Sequence, residues 1–320
     1  MLPTGRRLQE LAQEIGFDVT SLEKVVRLAE LLEGLAKLDD LAPSLALKGG
    51  TALNLAFGFP SRLSVDLDFN LIGAESREEL LAVRPGVEHR IQALARSQGL
   101  GAQLSADAHA GRKIFLTYTR IADAQPDRIE VDLNYLHRVC LLPTERRTIW
   151  RPDAEGPITT VLSWPEIAAG KLVAFLDRAA PWDAWDVSRL PLLSPSPWPP
   201  SELRPIFIAL AGVLPRPLHA YGRRGLERIR DTDVSRLLWP MLLSGERPAA
   251  ESLRAACWSV VAPLLELAEN EIEFCDRLQR GELRPEILAF EDPEIAERVR
   301  RHPALLWKAA NAREHSRRKS

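Results

Sequence analysis

The chain has 320 residues, 46% of them apolar and 27% charged, with a formal net charge of −2. That is an ordinary globular balance with ample core, enough for one large or two modest domains. No stretch approaches the ~20 apolar residues of a membrane span, Met1–Glu14 lacks a secretory pattern, and the near-neutral charge argues against a constitutively basic coat for nucleic acid while leaving room for a local one.

Residues 1–20 read as a short amphipathic helix that breaks at Gly16 and Phe17. Ser21 then caps a second helix, in which Val25, Val26, Leu28, Leu31, Leu32, Leu35 and Leu38 share the face of a packing helix. Leu45–Leu47 is an apolar strand, Gly49-Gly50 a turn, and Thr51 opens a short helix. Glycine lets backbone come close to a ligand, and N–H groups at a helix start point at an anion, so this corner has the build of a phosphate cradle. After the loop Gly58-Phe59-Pro60-Ser61, a second strand alternates Ser64, Asp66 and Asp68 on one face with Val65, Leu67 and Phe69 on the other. Two carboxylates so placed repel each other. A hard divalent cation such as Mg²⁺, completing its shell from substrate phosphates, is the usual compensation. A cradle beside a metal-holding pair is the minimum equipment for phosphoryl or nucleotidyl transfer. Arg62 is placed either to pair with a carboxylate or to meet a substrate phosphate, and Ser64 to touch phosphate or metal-bound water.

A helix is expected over 76–97, with a restart near Gly86 because Pro85 interrupts it. Half-buried antiparallel strands follow over 102–106, 113–119 and 128–136, with a hairpin turn at 107–112. The third strand carries Glu130, Asp132 and Asn134 on one face. If it neighbours the Asp66 strand, Asp132 or Glu130 supplies the third acid common in two-metal transfer chemistry; otherwise it is a surface-facing sheet edge. A strand over 157–162 leads through Ser163-Trp164-Pro165 into a helix from Glu166 to Arg178, with Lys171 and Arg178 roughly on one face. Taken alone, Glu166, Lys171 and Arg178 read as a solvated helix face.

Residues 191–201 form a proline-rich linker. Beyond it the pattern is helical, over about 202–213, 223–230, 232–243, 249–279, 283–290, 293–300 and 303–315. Two segments are basic, Arg216–Arg230 and Arg298–Ser320; each is either a phosphate-contacting surface or a solvated face. Cys140, Cys257 and Cys275 are widely spaced, fit reduced and mostly buried thiols, and do not suggest a zinc site.

Lys48-Gly49-Gly50-Thr51-Ala-Leu followed by Arg62-x-Ser64-x-Asp66-Leu-Asp68-Phe resembles the signature of the AbiEii/AbiGii toxin family. The helix with Glu166, Lys171 and Arg178, then Asp183 and Asp186, is similar to a second motif of that family, although Trp182 stands where the family has Arg. The resemblance spans 45–187. It implies an α+β fold: a polymerase beta-like nucleotidyltransferase domain over 1–190, with a mixed, largely antiparallel sheet flanked by helices, and an all-helical domain over 202–320 that forms the acceptor wall. It further implies transfer of NMP from an NTP to an acceptor hydroxyl, with Mg²⁺ or Mn²⁺ as cofactor. Asp66, Asp68 and Asp132 would hold metal. Lys48, Gly49, Gly50, Thr51, Arg62, Ser64, Arg178 and Asp183 would bind nucleotide, while Lys171 would neutralise the leaving phosphates and Asp186 would orient it. The implied protein is a cytoplasmic toxin with a cognate antitoxin, acting on the 3′ end of tRNA or another RNA. The alternatives are a protein or small-molecule hydroxyl as acceptor, or a non-catalytic nucleotide- or RNA-binding partner.

Overall fold

A computed structural model describes residues 2–319; Met1, Ser320 and the side chain of Lys319, and with them the end of the basic run Arg298–Ser320, lie outside the described residues. Seven strands follow in chain order: β1 (Leu45–Lys48), β2 (Leu67–Leu71), β3 (Gly101–Leu104), β4 (Gly111–Thr119), β5 (Pro126–Asn134), β6 (Glu145–Thr148) and β7 (Ile158–Val161). They form one sheet in the order β3-β4-β5-β2-β1-β7-β6. β1 runs antiparallel to β2 and parallel to β7, β2 runs parallel to β5, and the remaining pairs are antiparallel. The mixed, largely antiparallel sheet is therefore present as expected.

Strand alternation decides which side of the sheet is core. Leu45, Leu47, Leu67, Phe69, Ile114, Leu116, Ile129, Val131 and Leu133 are all buried. Their neighbours on the other face are polar: Lys48, Asp68, Lys113, Glu130 and Asp132. Two helices, α2 (Val19–Ala36) and α4 (Arg77–Ser97), pack on each other and on the sheet. Glu23 of α2 accepts the N–H groups of Ile121 and Ala122 and pairs with Arg27 at 2.8 Å, which fixes α2 to the turn between β4 and β5.

The chain divides into two compact units. The first runs through Arg138 and adds Thr144–Leu162 and Leu238–Arg247; the second takes Val139–Pro143, Ser163–Leu237 and the chain from Pro248 onward. The first unit holds the whole sheet together with α1 (Gly5–Ile15), α2, α3 (Gly49–Ala56) and α4. Its returning segment is tied in by backbone: Leu63 N–H donates to the Met241 carbonyl at 2.7 Å, and Ser244 N–H to the Gly16 carbonyl at 2.8 Å. The second unit contains α5 (Trp164–Arg178), α6 (Pro181–Leu193), α7 (Leu203–Ala211) and the later helices. In this division the proline-rich segment 191–201 lies inside the second unit.

Several local expectations are corrected. Asp18, not Ser21, caps α2, accepting from Thr20 and Ser21 N–H, while the Ser21 hydroxyl donates to the Pro240 carbonyl. α4 runs unbroken through Pro85, and α6 through Pro191 into the expected linker. The expected helix 249–279 is two helices, Ala250–Val261 and Glu269–Gln279, separated around Pro263, which has no N–H to continue the ladder. The stretches 223–230 and 283–290 hold only short 3₁₀ turns, and 232–243 is a mixture of short turns. Strand β6 was not foreseen; its Glu-Arg-Arg-Thr sequence has no apolar alternation.

Candidate active site

In the first unit the site begins where β1 turns into α3. Gly49 has φ +71° and opens the helix; a Cβ there would collide with a carboxylate oxygen of Asp68. Only glycine permits both the left-handed backbone and that approach. Lys48 occupies the cap position without a side-chain capping bond, so side chains do not cap the first N–H groups of α3. Thr51 is fully buried; its hydroxyl lies 2.9 Å from the Ser64 hydroxyl and donates to the Asp66 carbonyl. Thr51 and Ser64 thus brace the approach to β2 from beneath. Arg62 is buried as well, donating to the Leu63 carbonyl at 2.8 Å and lying 3.8 Å from Met241 sulfur.

Strand register assembles the acids. Lys48 pairs with Asp68, Asp68 with Asp132, and Asp132 with Lys113, so one row crosses four strands as Lys, Asp, Asp, Lys on the polar face. Asp66 lies one residue before β2 and accepts the Glu130 N–H at 3.3 Å. Asp66 is solvent-exposed, yet the protein packed around its carboxyl raises it above its ordinary value and the negative charges of Asp68 and Glu130 raise it further, against the Glu130 N–H. Asp132 is raised by burial and then by Asp68, with Lys48 and Lys113 opposing. For Glu130, burial is outweighed by Lys113 at 2.9 Å and by Arg128, and its carboxyl falls below the ordinary value.

This donor set fits a hard divalent cation. Crowded carboxylates on a rigid, apolar-backed strand pair are relieved by one. Among the described residues, no three His, Cys, Asp or Glu side chains stand ready to hold a metal unaided.

The second unit carries its own charged cluster. Lys171 on α5 lies 3.2 Å from Asp183 and 2.7 Å from Asp186, both on α6 and both fully buried. Asp183 also receives Arg178, Nε at 2.5 Å and Nη2 at 3.1 Å. The face taken alone as solvated is thus mostly interior; of its cations only Arg178 remains half exposed. Arg178 stands 5.9 Å over the ring of Trp182, a cation on an aromatic face. Glu166 is buried and accepts the N–H groups of Leu141 and Leu142 at 3.1 and 3.2 Å; burial pushes its carboxyl up to about 7.

Two residues of the first cluster were not singled out from the sequence. Lys113 reaches the acids only through the register of β4 on β5, a long-range pairing with no local signal. His137, just past β5, is held down to about 4 by burial and by the charge of Lys48, so it is neutral near pH 7. The three cysteines are free, with burial pushing Cys140 and Cys257 up to about 12 and Cys275 to about 11. No helix of the described residues is long and apolar enough to cross a membrane.

A glycine corner packed on Asp68, in a mixed sheet with this order, is the arrangement expected of a nucleotidyltransferase. The family model described as "Nucleotidyl transferase AbiEii toxin, Type IV TA system" matches residues 30–197, just over half of the chain. The chain belongs to this family of nucleotidyltransferase toxins of type IV toxin–antitoxin systems. Its fold is similar to that of MenT4, a nucleotidyltransferase toxin from Mycobacterium tuberculosis, with a TM-score of 0.63, 18% identity, and coverage of 93% of this chain and 98% of that one. Two Helicobacter pylori structures also match: one described as a candidate nucleotidyltransferase (TM-score 0.45, 16% identity, 77% and 94% coverage) and JHP933 (TM-score 0.40, 17% identity, 81% and 97% coverage). No curated protein matches the chain.

Proposed function

We propose that this toxin transfers NMP from an NTP to the 3′ end of tRNA, in the cytoplasm, with Mg²⁺ or Mn²⁺ as cofactor, and that a cognate antitoxin restrains it. The supporting observation is the cross-strand row Lys48–Asp68–Asp132–Lys113 set against Gly49 at the head of α3. Asp66 and Asp68 would hold the cation, with Asp132 as the neighbouring oxygen donor. When bound, such an ion polarises the reacting phosphoryl group and offsets developing charge.

The chain's own residues supply position. Gly49 and Gly50 present backbone N–H groups to nucleotide phosphates, and Thr51 fixes that turn to the acidic strand by its bond to the Asp66 carbonyl. Lys48 and Lys113 limit the repulsion between Asp68 and Asp132 before substrate arrives. The reading gives Lys171 the charge of the leaving phosphates, with Asp183 and Asp186 holding its ammonium in one place. Little covalent work by protein groups is called for; alignment and charge neutralisation carry the rate.

The test is incubation with each α-labelled NTP, Mg²⁺ and either total tRNA or total cell protein. Label on the tRNA 3′ end, abolished by chelator and restored by Mg²⁺ or Mn²⁺, is the expected result. Label on protein alone rejects the tRNA acceptor.

A further inference from the structure

The basic segment Arg216–Arg230 plays no part in the chemistry above. It holds five arginines against one acid, Glu227, in a chain whose net charge is −2, so its positive field is local rather than general. Its apolar residues face inward: Leu218, Leu226 and Ile229 are buried. Its arginines face outward. Arg223, Arg224 and Arg230 are exposed, and their side chains make no hydrogen bond or ion pair among the described residues. Arg216 lies 4.7 Å over the ring of Tyr221. Arg228 anchors the segment, donating to the Gly225 carbonyl at 3.2 Å and to the Asp177 carbonyl at 3.4 Å. Asp177 sits at the end of α5, next to Arg178, which is half exposed and faces Trp182.

Arginines interleaved with aromatic rings are the composition that binds exposed nucleic-acid strands, guanidinium to phosphate and ring to base. A lipid surface is the poorer fit, because the segment presents no apolar face to insert.

We infer that Arg223, Arg224 and Arg230 grip the phosphates of the RNA acceptor, and that Trp182, backed by Arg178, offers a stacking plate for one of its bases. This rests on the reading of RNA as acceptor and extends it to a specific surface.

The experiment is fluorescence anisotropy of the full-length protein with labelled tRNA across a range of salt, comparing wild type with Arg223→Ala/Arg224→Ala. Loss of two phosphate contacts is expected to weaken binding about tenfold at 150 mM salt and to flatten the slope of log K against log salt by about 1.5. Trp182→Ala is expected to weaken binding about fivefold with the slope unchanged, and Trp182→Phe to restore it. NTP binding of the double variant stays at the wild-type level. A double variant that matches wild type in affinity and slope overturns the surface and leaves the RNA reading intact. A wild-type protein that binds no RNA even at low salt overturns the RNA reading itself. Binding to anionic vesicles that the double substitution abolishes, with RNA binding unaltered, assigns the segment to lipid and also overturns the inference.

Discussion

At Gly49 the backbone φ is +71° and the Asp68 carboxylate fills the space of a would-be Cβ. Gly49→Ala therefore meets two penalties, left-handed strain of about 1–2 kcal/mol and displacement of a site acid. The expected outcome is a modest fall in denaturant midpoint with transfer reduced by about 100-fold or more, since misplacing a reacting group by an ångström costs on that order. Lys171 poses the opposite balance. It is the buried cation between Asp183 and Asp186, and Lys171→Met takes that cation from both carboxylates; removing one partner of a buried pair costs about 3–5 kcal/mol. Urea unfolding of the variant reads this directly. Glu166 gives a pH signature. Its carboxyl is raised from 4.5 to about 7, so the folded state keeps a proton that the unfolded state releases. Its contribution is complete below about pH 4.5 and is lost as pH rises through 7, by an amount on the order of 3 kcal/mol. Glu166→Gln retains an acceptor for the Leu141 and Leu142 N–H groups without titrating. The difference in stability between variant and wild type is expected to grow in the variant's favour from pH 5 to pH 8.

The elements of the site hold one another through buried polar contacts. The Thr51 hydroxyl joins α3 to the approach of β2 through Ser64 and the Asp66 carbonyl. Thr51→Val keeps the volume and leaves that carbonyl without its donor, for an expected loss of about 1–3 kcal/mol and a fall in kcat from a looser Asp66. Alternation was enough to put Glu130, Asp132 and Asn134 on one side of their strand, because period two is a local property of sequence; the strand expected from Ser64 begins only at Leu67, which leaves Asp66 just outside it. That Asp132 stands beside Asp68 depends on parallel pairing of β2 and β5, which local sequence does not encode; it was a conditional expectation, and the register satisfies the condition. Lys113 was missed for the same reason. The breaks misjudged at Pro85 and Pro191 show the converse, prolines absorbed by helices that packing holds together. The break at Pro263 that the sequence pattern ran through is a real one.

At the scale of the whole molecule, the fold class and the family were legible because two motifs lie in the right order on strongly patterned elements. The course of the chain between its units was not. Leu238–Arg247 returns to the first unit, with Leu238 and Leu242 buried and backbone bonds to Leu63 and Gly16. A fragment of residues 1–190 lacks this strap and is expected to show no cooperative thermal transition, whereas the full chain does; circular dichroism on both decides it. The account as a whole depends on the strand acids holding the cation with the nucleotide. The direct measurement is Mn²⁺ binding by electron paramagnetic resonance in the presence of a non-hydrolysable NTP, on wild type and Asp68→Asn, beside the transfer rate of each. The prediction is tight, nucleotide-dependent Mn²⁺ binding in wild type, and its loss together with transfer in Asp68→Asn. A variant that binds Mn²⁺ and transfers as wild type does contradicts it.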